Sequence, residues 1–123
     1  MGPATGDQPD ERIETMPARL PRPGVVRVSL GAFDPSRFPE VERMTQDTGA
    51  YLIPAIGRLQ GLSGYFAATS PSGSIVHVSL WESDAHAQQM AKLTEMTVTA
   101  RREAEAVGVG FSPIVNYPIN WRI

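Results

Sequence analysis

The chain has 123 residues, with 11 Lys or Arg against 13 Asp or Glu and a formal net charge of -2. Such a length buries roughly two thirds of its unfolded surface in one domain, enough for an ordinary core. Cysteine is absent, which excludes disulfides, a thiolate nucleophile and cysteine-held zinc or iron–sulfur centres.

Charges of both signs are interspersed without a basic block to track phosphates, so nucleic acid is not an expected partner. No apolar run reaches the roughly 18 residues of a membrane span, and no basic segment leads into an apolar one. The expectation is a cytoplasmic chain with no membrane partner. His77 and His86 do not have the spacing of a metal-binding motif, and no Gly-rich phosphate loop follows a strand, so neither a metal nor flavin is expected.

Residues 1–23 hold five of the eleven prolines and few large apolar groups, a composition that predicts a disordered tail. The folded domain is expected over 24–123. Val25 to Leu30 reads as a first strand, with Val26, Val28 and Leu30 on one face and Arg27 and Ser29 on the other. Asp34-Pro35 and Phe38-Pro39 both read as helix starts. The apolar stripe of Val41, Met44, Leu52, Ala55, Ile56 and Leu59 then predicts a helix, kinked or divided at Pro54.

Tyr65 to Ser70 and Ser74 to Trp81 form an expected β-hairpin turning at Pro71-Ser72-Gly73. The period of two on its second strand puts Ile75, His77, Ser79 and Trp81 on one face and Val76, Val78 and Leu80 on the other. Ser83 or Asp84 caps a second helix, whose stripe runs from His86 to Val107 before Gly108 ends it. Ile114 to Ile119 reads as a last strand, interrupted by Pro118.

This order predicts a ferredoxin-like α+β domain, βαββαβ, with both helices on one face of an antiparallel sheet. Neither sheet face is polar enough for solvent. The exposed face is therefore expected to meet a second copy, giving a C2 homodimer.

Ser79-Leu80-Trp81-Glu82-Ser83-Asp84, a strand ending in tryptophan and leading straight into a capped helix, resembles the antibiotic biosynthesis monooxygenase-like family of dimeric α/β barrels. Gly61-Leu62-Ser63-Gly64-Tyr65-Phe66 is similar to that family's link between first helix and second strand, and the resemblance covers residues 25–120. It implies a cofactor-independent monooxygenase-like enzyme acting on a small aromatic or phenolic molecule. The alternatives are a non-catalytic ligand-binding homodimer and a proton-shuttling isomerase.

In the oxygenases of this family a phenolic substrate loses a proton and its electron-rich anion reacts with oxygen, so the site needs an aromatic wall and a polar group at the acidic hydroxyl. By the resemblance, Trp81 is the wall and His77, four residues earlier on the same face, the base or anion stabiliser. Arg101 falls where such enzymes can carry an arginine. Tyr65, His86 and Asn116 complete the expected lining. Haem-degrading relatives carry Asn, Trp and His where this chain has Ser29, Met90 and Thr99, so no haem, and no other cofactor, is expected.

Overall fold

The computed structural model describes residues 24–123, and the proline-rich segment 1–23 lies outside them. Five strands form one antiparallel sheet: β1 (Val25–Ala32), β2 (Leu62–Ser70), β3 (Ser74–Trp81), β4 (Gly110–Phe111) and β5 (Val115–Pro118). The spatial order is β2-β3-β1-β4, with β5 also on β1. β4 meets the end of β1 at Gly31 and Ala32, whereas β5 covers its start from Val25 to Val28. With the helical segments on one face, this is the expected ferredoxin-like arrangement.

The first helical segment follows its sequence signals. Asp34 caps a single 3-10 turn, Pro35–Arg37, by accepting from the Ser36 amide, and α1 (Phe38–Gly57) begins with a proline in its first turn. The expected division at Pro54 does not occur. Pro54 falls in the last turn of α1, and the helix runs through it to Gly57 although the ring leaves the Ala50 carbonyl without that donor.

The second helical segment departs further from expectation. Ser83 does cap α2 (Asp84–Ala87), its hydroxyl accepting from the His86 amide. Instead of one rod to Val107, the chain passes through a 3-10 stretch at Gln88–Lys92 and a π-helical turn at Glu95–Ala100 before α3 (Arg101–Ala106). Leu93 breaks the path by taking up an extended conformation, with its side chain packed against the core. The run Thr94-Glu95-Met96-Thr97-Val98-Thr99 is rich in β-branched residues, which lose rotamer freedom in a helix and hold it weakly. Wide π turns are rare in regular helices and cluster near functional sites.

β3 has the bounds its alternation predicts, and the β3–β1 register aligns Val25, Arg27, Ser29 and Gly31 with Trp81, Ser79, His77 and Ile75. These residues face the helices. Two buried clusters meet there, one around Leu52, Ile56, Trp81 and Met90 and the other around Phe33, Val41, Ile75 and Val109.

A bulge between Leu62 and Gly64 lets Leu62 sit opposite Trp81 while Tyr65 sits opposite Ser79, so both point inward despite an odd spacing. Gly73 closes the hairpin at φ 103, where a Cβ would lie 2.6 Å from the Phe33 carbonyl oxygen; only glycine fits there.

Ile56 is 5% exposed and packs in the larger cluster. Ile56→Ala is expected to cost about 2–5 kcal/mol. Urea unfolding should show this as a lower midpoint at unchanged slope.

Candidate functional site

The inward face of the sheet is unusual in carrying polar residues beneath a helical layer. Across the strands one row runs Asn116, Arg27, Ser79, Tyr65, and the next contains Ser29, His77 and Ala67. Between these rows and the helices lies a cavity of about 160 Å³. Arg27, Ser29, Tyr65, His77 and Ser79 line it from the sheet; Met44, Thr45, Thr48 and Leu52 line it from α1; Met90, Met96, Thr97 and Arg101 line it from the second helical segment.

Buried polar groups require partners, and Arg27, Tyr65, His77 and Ser79 each have a specific one. The Tyr65 hydroxyl lies 2.6 Å from His77 Nδ1, with the two rings edge to face at a centroid separation of 5.6 Å. Burial holds the His77 imidazolium below its ordinary pKa of 6.5. It also pushes the Tyr65 phenol well above the usual range, against a smaller opposing pull from Arg27. Both are therefore neutral at neutral pH. In the tautomer that carries the imidazole proton on Nε2, the phenol hydroxyl donates to Nδ1. That leaves the Nε2 N–H as the hydrogen-bonding group His77 has to offer.

Arg27 is half-buried and forms no salt bridge among the described residues. Its Nη1 donates over 3.4 Å to Asn116 Oδ1, and Asn116 Nδ2 in turn donates to Asp84 Oδ1 at 3.3 Å. Desolvation lowers the Arg27 pKa, while Tyr65 and Asp84 act in the opposite sense. At the solvent-exposed edge of the cavity, Arg101 lies over the Phe111 ring at 5.0 Å, with Glu105 3.8 Å away.

On the helical side, the hydroxyls of Thr45, Thr48 and Thr97 donate to the carbonyls of Val41, Thr45 and Leu93.

Of the six residues singled out from the sequence, His77, Tyr65 and Arg101 line this cavity. The other three stand outside it. Trp81 is 1% exposed in the core cluster, and its indole N–H donates to Ser79 Oγ at 2.8 Å. It fixes a lining residue from below and is not itself an exposed wall. His86 packs its ring on Gly61, where a Cβ would lie 2.4 Å away, and its Nδ1 is 2.8 Å from Ser83 Oγ. Asn116 acts through its hydrogen bond to Arg27.

Arg27 was not singled out. Its signal was the alternation of β1, which put it on the same face as Ser29, and only the β1–β3 register reveals that this face is also that of His77. Among the described residues there is no group of three or more His, Cys, Asp or Glu able to hold a metal ion. Nor is any described helix long and apolar enough to cross a membrane.

No protein-family model matches the chain, and no curated protein does. Solved structures do. A dimeric ferredoxin-like protein from an uncultured marine organism superposes with a TM-score of 0.64 at 10% identity, covering 83% of this chain and 92% of its own. SnoaB from Streptomyces nogalater, a cofactor-independent oxygenase, gives a TM-score of 0.53 at 13% identity over 83% of this chain and 98% of its own. A monooxygenase from the ActVA-Orf6 gene of Streptomyces coelicolor, solved with the ligand Nanaomycin D, gives 0.61 at 16% identity over 82% and 91%.

At these identities the likeness establishes the fold: the chain shares the ferredoxin-like architecture of these structures. Activity has to be argued from the cavity.

The depressed His77 pKa has a consequence for stability. Folding keeps the ring neutral where the unfolded chain would bind a proton, so stability is full above pH 6.5 and falls as pH drops toward the lower folded value. Thermal melts across pH 4.5 to 8 should show that decline, and His77→Gln should flatten it.

Proposed function

We propose that this chain is a cofactor-independent monooxygenase-like enzyme acting on a small aromatic hydroxyl compound held between sheet and helices. The observation that carries the reading is the convergence of the Arg27 guanidinium with the neutral Tyr65–His77 pair on one partly open cavity. An arginine charge in a partly desolvated wall lowers the pKa of a bound phenol, so the substrate is held as its anion and the proton leaves to solvent. His77, donating through Nε2, stabilises the same oxygen. Nδ1 is occupied by Tyr65, so an anion-stabilising role fits the geometry better than that of a base.

The electron-rich ring then reacts with oxygen directly. One oxygen atom becomes a ring carbonyl. The other departs as water with the ring hydrogen and the hydrogen of the former hydroxyl, turning phenol and O2 into quinone and water. Met44, Met90 and Met96 in the lining supply an adaptable apolar surface for a flat ring.

A second reading, a homodimer that binds such a ligand without turning it over, is favoured by the same hydrogen bond. A histidine whose Nδ1 is already engaged needs no reaction to explain it.

The homodimer itself is part of both readings. The outward face of the sheet presents Leu30 at 50%, Phe66 at 62% and Tyr117 at 51% exposure, an apolar surface that a second copy covers through an isologous contact. The dimeric ferredoxin-like protein of the same fold supports this, and a barrel results only when the two sheets pack.

Oxygen uptake with electron-rich phenols should reveal turnover that His77→Ala lowers by about 10²-fold or more; ligand binding without oxygen uptake would select the second reading. Phe66→Glu should convert a dimer into monomer in sedimentation velocity, and a wild-type chain that sediments as a monomer would remove the dimer.

A further inference from the structure

Among the described residues Arg27 is a cation without a matching anion. A guanidinium has five N–H donors arranged to meet a carboxylate side-on, yet among the described residues only Nη1 is used, in a long contact with the neutral Asn116 amide. The carboxylate that acts on it through space, Asp84, is hydrogen-bonded instead to Asn116 and Gln88. The arrangement holds Arg27 in position without neutralising it. Its other neighbours point the same way: Tyr65 gives its hydroxyl to His77, and Ser79 Oγ already accepts from the Trp81 indole.

The cavity's size narrows the ligand further. Its volume of about 160 Å³ is close to the roughly 150 Å³ of an engineered apolar cavity that accommodates benzene. One aromatic ring fills such a space, and a fused polycycle extends beyond it toward the exposed edge at Arg101. Met44, Leu52 and Met96 offer the apolar surface for that ring.

We propose that the cavity's ligand is a single-ring aromatic carboxylic acid whose carboxylate is bound by Arg27, with Asn116 as the residue that positions the guanidinium. This rests on the cavity being the ligand site, as in the function proposed above, but gives Arg27 to a carboxylate in place of the phenolate, so that His77 alone is left to meet a ring hydroxyl, and it adds the ring count. A carboxylate completes the charge of Arg27 in a partly desolvated wall, where a charge-assisted pair is roughly twice as strong as a neutral hydrogen bond. An uncharged amide of the same shape loses that term.

Calorimetric titration of the full-length chain with benzoate, benzamide, phenol and 2-naphthoate tests the assignment. Benzoate should bind about tenfold or more tighter than benzamide and 2-naphthoate. Arg27→Gln should erase the preference for benzoate over benzamide without weakening benzamide, and Asn116→Ala should reduce it in part. Arg27→Lys, which keeps the charge but loses the fork, should fall between wild type and Arg27→Gln; it decides the matter if the glutamine variant does not fold.

Benzamide binding as tightly as benzoate, or a preference that survives Arg27→Gln, overturns the acid. Naphthoate binding as tightly as benzoate overturns the single ring. In either case binding of phenol leaves the aromatic-hydroxyl reading standing, whereas failure of all four probes removes both.

Discussion

The structure depends on polar side chains placed on the covered face of a sheet. β1 and β3 alternate so that Arg27, Ser29, His77 and Ser79 lie beneath the helices, the side where strands ordinarily carry only apolar residues. A polar group taken from water without a partner costs about 1–3 kcal/mol, and a charged one more. The fold must therefore answer Arg27, His77 and Ser79. It does so with Tyr65 against His77, Trp81 against Ser79 and Asn116 against Arg27, and the space that remains among them is the cavity.

These pairings explain why the aromatic residues sit where they do. Trp81 is the last residue of β3 and could have ended in any apolar contact, but its indole N–H requires an acceptor when buried. The residue two positions earlier on the same strand face is the nearest one able to supply it. The tryptophan thereby ties the strand end to the cavity floor, and its core contacts with Leu52, Ile56 and Met90 tie that floor to both helical segments. Tyr65 reaches His77 because the hairpin register sets it opposite Ser79 on the inward face, and the bulge near Ser63 turns Leu62 to the same side.

Much of this was legible in the sequence. Strict alternation bounded β3, the proline and serine caps located both helix starts, and the order of elements determined the fold class. Local patterns failed where nonlocal packing won. α1 runs through Pro54 with only one turn left to form, and the second helix was interrupted because Leu93 has a place in the core. For the site, a period of two put His77 on the correct face but gave no measure of how the strands slide past one another. Without the register, Arg27 was indistinguishable from a solvated strand arginine, and Trp81 from an exposed wall.

The threonines on the helical side set a direction across the cavity. Thr45, Thr48 and Thr97 each direct the hydroxyl hydrogen back to a carbonyl of their own segment, so toward the interior they have only methyl groups and lone pairs to present. The opposite wall holds the guanidinium of Arg27 and the imidazole N–H. Inside the exposed edge where Arg101 stands, the chamber is thus electrically lopsided, rich in hydrogens at the sheet and in electron pairs at the helices. A guest with one electron-rich end has a single favourable way round, so its orientation is selected before any reaction begins.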